Sequence, residues 1–183
     1  MFERMVLGFF KRHKWAKPIS KIIITFIILI DMNTKYAETH EADDFELLKE
    51  LNSVFHLDEL GRTPQGYATD ASGYTKGRYI EIELKRRYIN VNTYSSIIIE
   101  PYKMQYAKDR KDTIQLYVNF TNDNHAIVFN LHRMGNATKT EYDIPSKLYE
   151  RTKTSNRYNL PMSKAWIYKK EGNNKYTLIQ KGW

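Results

Sequence analysis

The chain has 183 residues and a formal net charge of +8, and it contains 14 tyrosines and no cysteine. This length suffices for one domain with a hydrophobic core, and the aromatic content excludes a disordered protein. The absence of cysteine excludes disulfides, thiolate zinc sites and a cysteine nucleophile. The charge is uneven, because residues 39–132 are net acidic whereas residues 133–183 are strongly basic and would attract a polyanion.

The first 31 residues differ in composition from the rest of the chain. A basic, aromatic segment precedes the run IIITFIILI at residues 22–30, which is shorter than the about 20 apolar residues of a spanning helix. We expect residues 1–31 to be an extension outside the core, either upstream of a true start at Met32 or an anchor. A less favoured alternative is a membrane-proximal protein tethered by residues 6–30. We expect residues 32–183 to form a single domain in the cytoplasm, without a membrane partner.

A helix is the first regular element that the sequence predicts after this extension. Thr39 is a possible N-cap with acidic residues in the first turn, and Phe45, Leu48 and Leu51 follow at helical spacing. Gly61, Pro64 and Gly66 then end the helix.

Two strands are predicted next. The segment YATDASGYTKG indicates a short strand and a turn at Ser72 and Gly73. In GRYIEIELKRRYIN, apolar and polar residues alternate strictly, which is typical of a strand with one face in the core. The apolar face carries Ile80, Ile82 and Leu84, and the polar face carries Tyr79, Glu81, Glu83 and Lys85.

The remaining elements complete an α+β pattern. Ile97–Ile99 predicts a strand buried on both faces, and a short helix follows. Glu100 could cap this helix or face the site from the strand, and we favour the cap because Pro101 follows directly. TIQLYVNF and HAIVFNL predict two strands joined by a tight turn, and NKYTLIQKGW a last strand after a less regular segment. The order helix, three strands, helix, two strands predicts a domain with one mixed central sheet flanked by helices.

Asp70 and Glu83 are the main candidates for chemistry. Neighbouring strands lie about 4.8 Å apart, so a carboxylate from each strand can reach one hard cation that keeps several waters. Lys85 shares the face of Glu83, where it could hold a phosphate oxygen or orient a water. These groups suit metal-assisted phosphodiester hydrolysis. The alternative is a solvated strand face with cross-strand charge pairs.

Asp70 and the triplet Glu83-Leu84-Lys85 resemble the motif of the PD-(D/E)xK nuclease superfamily, which has the restriction-endonuclease-like fold. The predicted order of elements resembles that fold, although Ala68-Thr69 replaces the motif's proline before the aspartate. The resemblance implies a nuclease that uses Mg²⁺ or Mn²⁺. It also implies an acid from the first helix, for which Glu46 is the best choice and Glu41, Asp44 and Glu50 are alternatives. Lys103 and Gln105 lie where some branches place a lysine or glutamine.

The basic C-terminal region is the candidate nucleic-acid interface. Its cations alternate with tyrosine and tryptophan, and cations contact phosphates whereas aromatic rings can stack on exposed bases. We expect these aromatics to be buried, and Tyr94, Tyr102 and Tyr106 to belong to the core or rim. The cations that we expect to contact nucleic acid are Arg151, Lys153, Arg157 and Lys164.

Taken together, these patterns predict a metal-dependent nuclease acting on DNA, without a small-molecule cofactor. A homodimer would suit the cutting of two strands. The alternative is a non-catalytic nucleic-acid-binding module with the same fold. The abundance of isoleucine, lysine, asparagine and tyrosine suggests a phage or mobile-element origin.

Overall fold

The computed structural model describes residues 43–64, 67–135, 137–145, 152–172 and 175–182. Residues 1–42 lie outside this range, and so do the predictions of an extension at residues 1–31 and of a helix start at Thr39. From Asp43 onward the described chain forms one unit. No helix within it is long and apolar enough to cross a membrane.

Two α-helices and ten strands follow one another in the described residues. The first helix, α1, occupies residues 43–55. The other elements are β1 (Asp58–Arg62), β2 (Ala71–Thr75), β3 (Arg78–Arg87), β4 (Ser96–Ile99), α2 (Pro101–Asp109), β5 (Ile114–Thr121), β6 (His125–Asn130), β7 (Thr138–Pro145), β8 (Thr152–Pro161), β9 (Trp166–Glu171) and β10 (Lys175–Gln180).

Seven of these strands form a mixed sheet in the order β1-β2-β3-β5-β6-β9-β10. β3 and β5 are parallel, and the other neighbouring pairs are antiparallel. A parallel pair needs a crossover connection, and here β4 and α2 supply it. The predicted fold class, α+β with a mixed central sheet and helices against it, is confirmed.

The sheet has a hydrophobic cluster on each face. On one face, Leu48 and Leu51 of α1 are fully buried against Ile80, Ile82 and Leu84 of β3. The other face packs against α2 and the second sheet, through a cluster that includes Met104, Ala107, Tyr117, Phe129 and Leu160. The alternation along β3 therefore predicted its apolar face correctly.

The position of β4 corrects the prediction of a single sheet. β4 pairs with β8, and β8 with β7, in a separate three-stranded antiparallel sheet. Ile97 and Ile99 are buried there, whereas Ile98 is only partly buried. The prediction that this strand is buried on both faces is therefore wrong at Ile98.

The predicted turn at Ser72 and Gly73 is also wrong, because both residues lie inside β2. The chain turns instead at Lys76 and Gly77, which have φ angles of 48° and 75°. Gly73 serves a different need: a Cβ there would lie 3.1 Å from the carbonyl oxygen of Asp58 in β1, a strand that was not predicted. A glycine lets the two backbones approach closely.

Candidate active site

The two glutamates in the polar row of β3 are buried. Glu81 and Glu83 retain only 4% and 7% of their accessible surface, because α2 covers this face of the strand. A carboxylate is expensive to bury unless it is paired and hydrogen-bonded. The alternative of a solvated strand face with exposed charge pairs is therefore wrong at these two positions.

Glu83 lies between two lysines. The buried ammonium group of Lys103, on α2, forms an ion pair with Glu83 Oε1. The ammonium group of Lys85, two residues further along β3, lies 3.6 Å from the same oxygen, and its side chain is 42% exposed. Glu83 is thus neutralised from the helix side and faces a second cation that remains accessible to solvent.

Asp70 is held beside Glu83 by β3 itself. Its backbone N–H donates to Ile82 O at 2.9 Å, and its Oδ2 accepts a hydrogen bond from the backbone N–H of Leu84 at 2.7 Å. Ala71 pairs with Ile82, so Asp70 lies at the next position along the strand, across from Glu83. The two predicted acidic residues therefore lie opposite each other, Asp70 directly before β2 and Glu83 within the adjacent strand β3.

Lys103 interacts electrostatically with both of these carboxylates. Burial lowers the pKa of Lys103 to about 8, and the nearby negative charge of Asp70 limits the fall. A single ammonium group is thus influenced by both acidic residues. The ammonium group of Lys103 thus contacts the same carboxylate that would bind a divalent cation.

Glu81 forms a second buried group with partners that the sequence did not single out. It accepts hydrogen bonds from Tyr106 Oη at 3.2 Å and from Gln115 Nε2, and it forms an ion pair with Arg110 at 2.9 Å. Gln115 lies directly opposite Glu81 in the parallel β3–β5 pair. Polar residues on two buried strands, such as Glu81 and Gln115, can indicate such a cluster. This signal is useful only when it is known that the two strands pair with each other.

The donor set fits a divalent ion that keeps water. Asp70 and Glu83 offer hard oxygen ligands, and Mg²⁺ is commonly held by one or two carboxylates together with waters and substrate phosphate. Within the described ranges, no group of three or more His, Cys, Asp or Glu side chains could hold a metal ion. A site built on Asp70 and Glu83 in this part of the protein would therefore complete its coordination with other oxygen donors, such as water, substrate or backbone carbonyls.

The acids of the first helix have separate partners. Glu46 is 66% exposed and pairs with Lys49 at 2.6 Å. Asp44 is buried and pairs with Arg86 of β3 at 2.8 Å, and Glu50 pairs with Lys170 of β9 at 2.5 Å. Glu41 lies outside the described residues. Asp44 and Glu50 thus tie α1 to the sheet.

Two further residues of the α2 region were singled out by the sequence, Gln105 and Glu100. Gln105 is exposed and donates to Asp109 at 2.8 Å, within the helix. Glu100 occupies the N-cap position of α2, as expected, but its side chain makes no capping hydrogen bond there. Its Oε2 is buried and has no hydrogen-bond partner among the described residues.

The predicted nucleic-acid contacts lie on or near β8. Arg157 is half-buried, and its guanidinium donates to Ser155 Oγ at 2.7 Å. Lys164 is exposed in the short 3-10 helix after β8. Arg151 lies outside the described residues, and only the backbone of Lys153 lies within them.

An open pocket lies beside the acidic residues. Its lining includes Glu83 and Lys103 together with the side of α2 that carries Tyr102 and Tyr106. Thr69, immediately before Asp70, also lines this pocket. A ligand that entered this pocket would therefore meet the Glu83–Lys103 pair.

Comparison with known proteins gives little further information. No family model matches the chain, and no curated protein matches it. Among solved structures, it is similar to Hjc, a Holliday junction resolvase from the archaeal hyperthermophile Archaeoglobus fulgidus. The two chains are 9% identical, the match covers 65% of this chain and 84% of that one, and the TM-score is 0.40. A likeness at this level carries no argument about activity.

Proposed function

We propose that the protein is a metal-dependent nuclease of the PD-(D/E)xK type that hydrolyses phosphodiester bonds in DNA. The observation that carries this proposal is the buried Glu83 between Lys85 and Lys103, with the Asp70 carboxylate anchored one strand away on the Leu84 N–H. Acidic and basic groups gathered in a cleft are typical of catalytic sites, because such sites need charges at defined positions.

Asp70 and Glu83 would hold Mg²⁺ or Mn²⁺, which in such a site supplies Lewis-acid stabilisation of charge on the phosphate. Lys85 would contact a phosphate oxygen, since its side chain is partly exposed and lies on the same side as Glu83. A positioned cation at this point stabilises negative charge that develops in the transition state. Glu46 would join only after giving up its pair with Lys49.

A second candidate function is a non-catalytic nucleic-acid-binding module. The ion pair between Lys103 and Glu83 favours it, because a buried carboxylate that is already neutralised by lysine has no need of a metal ion. In this alternative the basic C-terminal region binds nucleic acid and the acidic residues only stabilise the fold. Whichever function applies, the intracellular location and the homodimer remain predictions.

The test is a cleavage assay with plasmid and single-stranded DNA in Mg²⁺, Mn²⁺ or chelator. We expect cleavage with metal and none in chelator, and loss of cleavage in Glu83→Gln and Asp70→Asn. Asp112→Asn is the matched control, because Asp112 is an exposed turn residue. Cleavage that persists in chelator, or in both site variants, would contradict the nuclease mechanism. DNA binding without cleavage under every condition would favour the binding module.

A further inference from the structure

Tyr102 is an exposed aromatic residue at the entrance to the candidate active site. It is the second residue of α2 and is 61% exposed, although Lys103 and Met104, which follow it, are buried. It lines the same pocket as Glu83 and Lys103. Of the two expected places for Tyr102, the core or the rim, the structure shows the rim.

The neighbouring tyrosine of the helix shows why Tyr102 differs. Tyr106, one turn later, also lines the pocket, but its hydroxyl donates to Glu81 and is thereby committed to the buried cluster. Tyr102 has no such hydrogen bond within the described residues, and the ammonium group of Lys103 lies 5.6 Å from the centre of its ring. Neither packing nor hydrogen bonding within the described residues requires an aromatic side chain at position 102.

Charges of both signs act on the Tyr102 hydroxyl. Partial burial, followed by the negative charges of Glu100 and Asp70, raises the pKa of Tyr102, whereas the guanidinium of Arg157 lowers it. The helix that carries Tyr102 also packs against β8, the strand of Arg157. Tyr102 is thus influenced both by an acidic residue of the candidate active site and by a basic residue of β8.

Resting on the proposed function, we propose that Tyr102 stacks on an unpaired base next to the reacting phosphate, and that the preferred substrate is single-stranded DNA. An aromatic side chain can stack on a base only where the face of that base is free, and in a duplex neighbouring bases cover both faces. Arg157 would contact a backbone phosphate of the same segment. Aromatic rings beside a basic groove are a common means of binding single strands.

The test measures binding in chelator, where the proposed metal-dependent cleavage cannot interfere. Fluorescence anisotropy would compare one labelled single-stranded oligonucleotide with its duplex. Loss of base stacking costs roughly 1–3 kcal/mol, so Tyr102→Ala should weaken single-strand binding roughly 5- to 150-fold and leave duplex binding unchanged. Tyr102→Phe should bind as the wild type does, because the ring is retained.

Tyr94→Ala is the matched control, since Tyr94 is 60% exposed and precedes β4 without lining the pocket. It should bind both oligonucleotides as the wild type does. Equal effects of Tyr102→Ala on single strand and duplex, or no effect on either, would overturn the proposal. So would wild-type protein that prefers the duplex or binds neither. The proposed nuclease function is judged separately, by whether wild-type protein cleaves DNA with metal.

Discussion

Replacing Lys85 with alanine should lower the cleavage rate strongly while changing the stability of the fold only slightly. The side chain of Lys85 is 42% exposed and lies 3.6 Å from Glu83 Oε1, so the pair resembles a surface ion pair worth about 0–1 kcal/mol. Glu83 keeps its buried partner Lys103 in this variant. We therefore expect the free energy of unfolding to fall by at most about 1 kcal/mol, which lowers the melting temperature by at most about 4 °C for a domain of this size.

The effect on turnover should be far larger. If Lys85 contacts the reacting phosphate, its loss removes a positioned charge from the transition state, which is typically worth about 10²–10³ in rate. This corresponds to about 2.7–4 kcal/mol of activation free energy. The expected change in activation free energy thus exceeds the expected change in stability at least about twofold.

The assay is the single-turnover cleavage of a single-stranded oligonucleotide with Mn²⁺, with a thermal melt of the same samples. Lys108→Ala is the control, because Lys108 is an exposed lysine near the end of α2. It should match the wild type in rate and in melting temperature. A Lys85→Ala rate within about threefold of the control would refute the role of Lys85 in catalysis.

Three further predictions concern stability and binding. Gly182→Ala should destabilise the fold by about 1–3 kcal/mol in urea titration, because a Cβ there overlaps the backbone carbonyl of Lys164; an unchanged midpoint would contradict this. Burial raises the pKa of Asp123, but the hydrogen bond from Thr121 and others outweigh it, so the pKa is lowered. The ionised Asp123 should therefore stabilise the fold above about pH 4, and this stabilisation should be lost as the pH falls further; urea titrations should find Asp123→Asn less stable than the wild type at neutral pH and close to it in strong acid. Replacing Arg157 and Lys164 by glutamine should reduce the dependence of single-strand binding on salt by about one unit of logarithmic slope or more, and an identical slope would locate the binding face elsewhere.

Local pattern alone predicted much of the central sheet. Strict alternation placed Ile80, Ile82 and Leu84 on one face of β3, because side chains of a strand point alternately to opposite sides, and the structure confirms that face. The pairing of β2 with β3 was also expected, since two strands joined by a tight turn pair with each other, but the register that sets Asp70 opposite Glu83 depends on the turn at Lys76 and Gly77, which was not predicted. The short helix before β5 and the β5–β6 hairpin were predicted for similar local reasons.

The environment of the acidic residues was decided by tertiary structure. Alternation cannot say whether a polar face meets water or a helix, and here α2 buries Glu81 and Glu83. The partners of these carboxylates come from α2 and β5, whose distances from β3 depend on the parallel crossover. The ion pair of Glu83 with Lys103 is therefore a property of the packing of a helix on a sheet.

The second sheet shows the same limit for the fold. β4 pairs with β8, far along the chain, and nothing in the short run Ile97–Ile99 distinguishes that partner from the central sheet. The partner of β4 depends on which apolar surface remains uncovered once β3 and β5 have paired. The sequence by itself determined which residues could form strands and which faces were apolar, whereas long-range packing decided the partners, because burial is a property of the assembled surfaces rather than of any one segment.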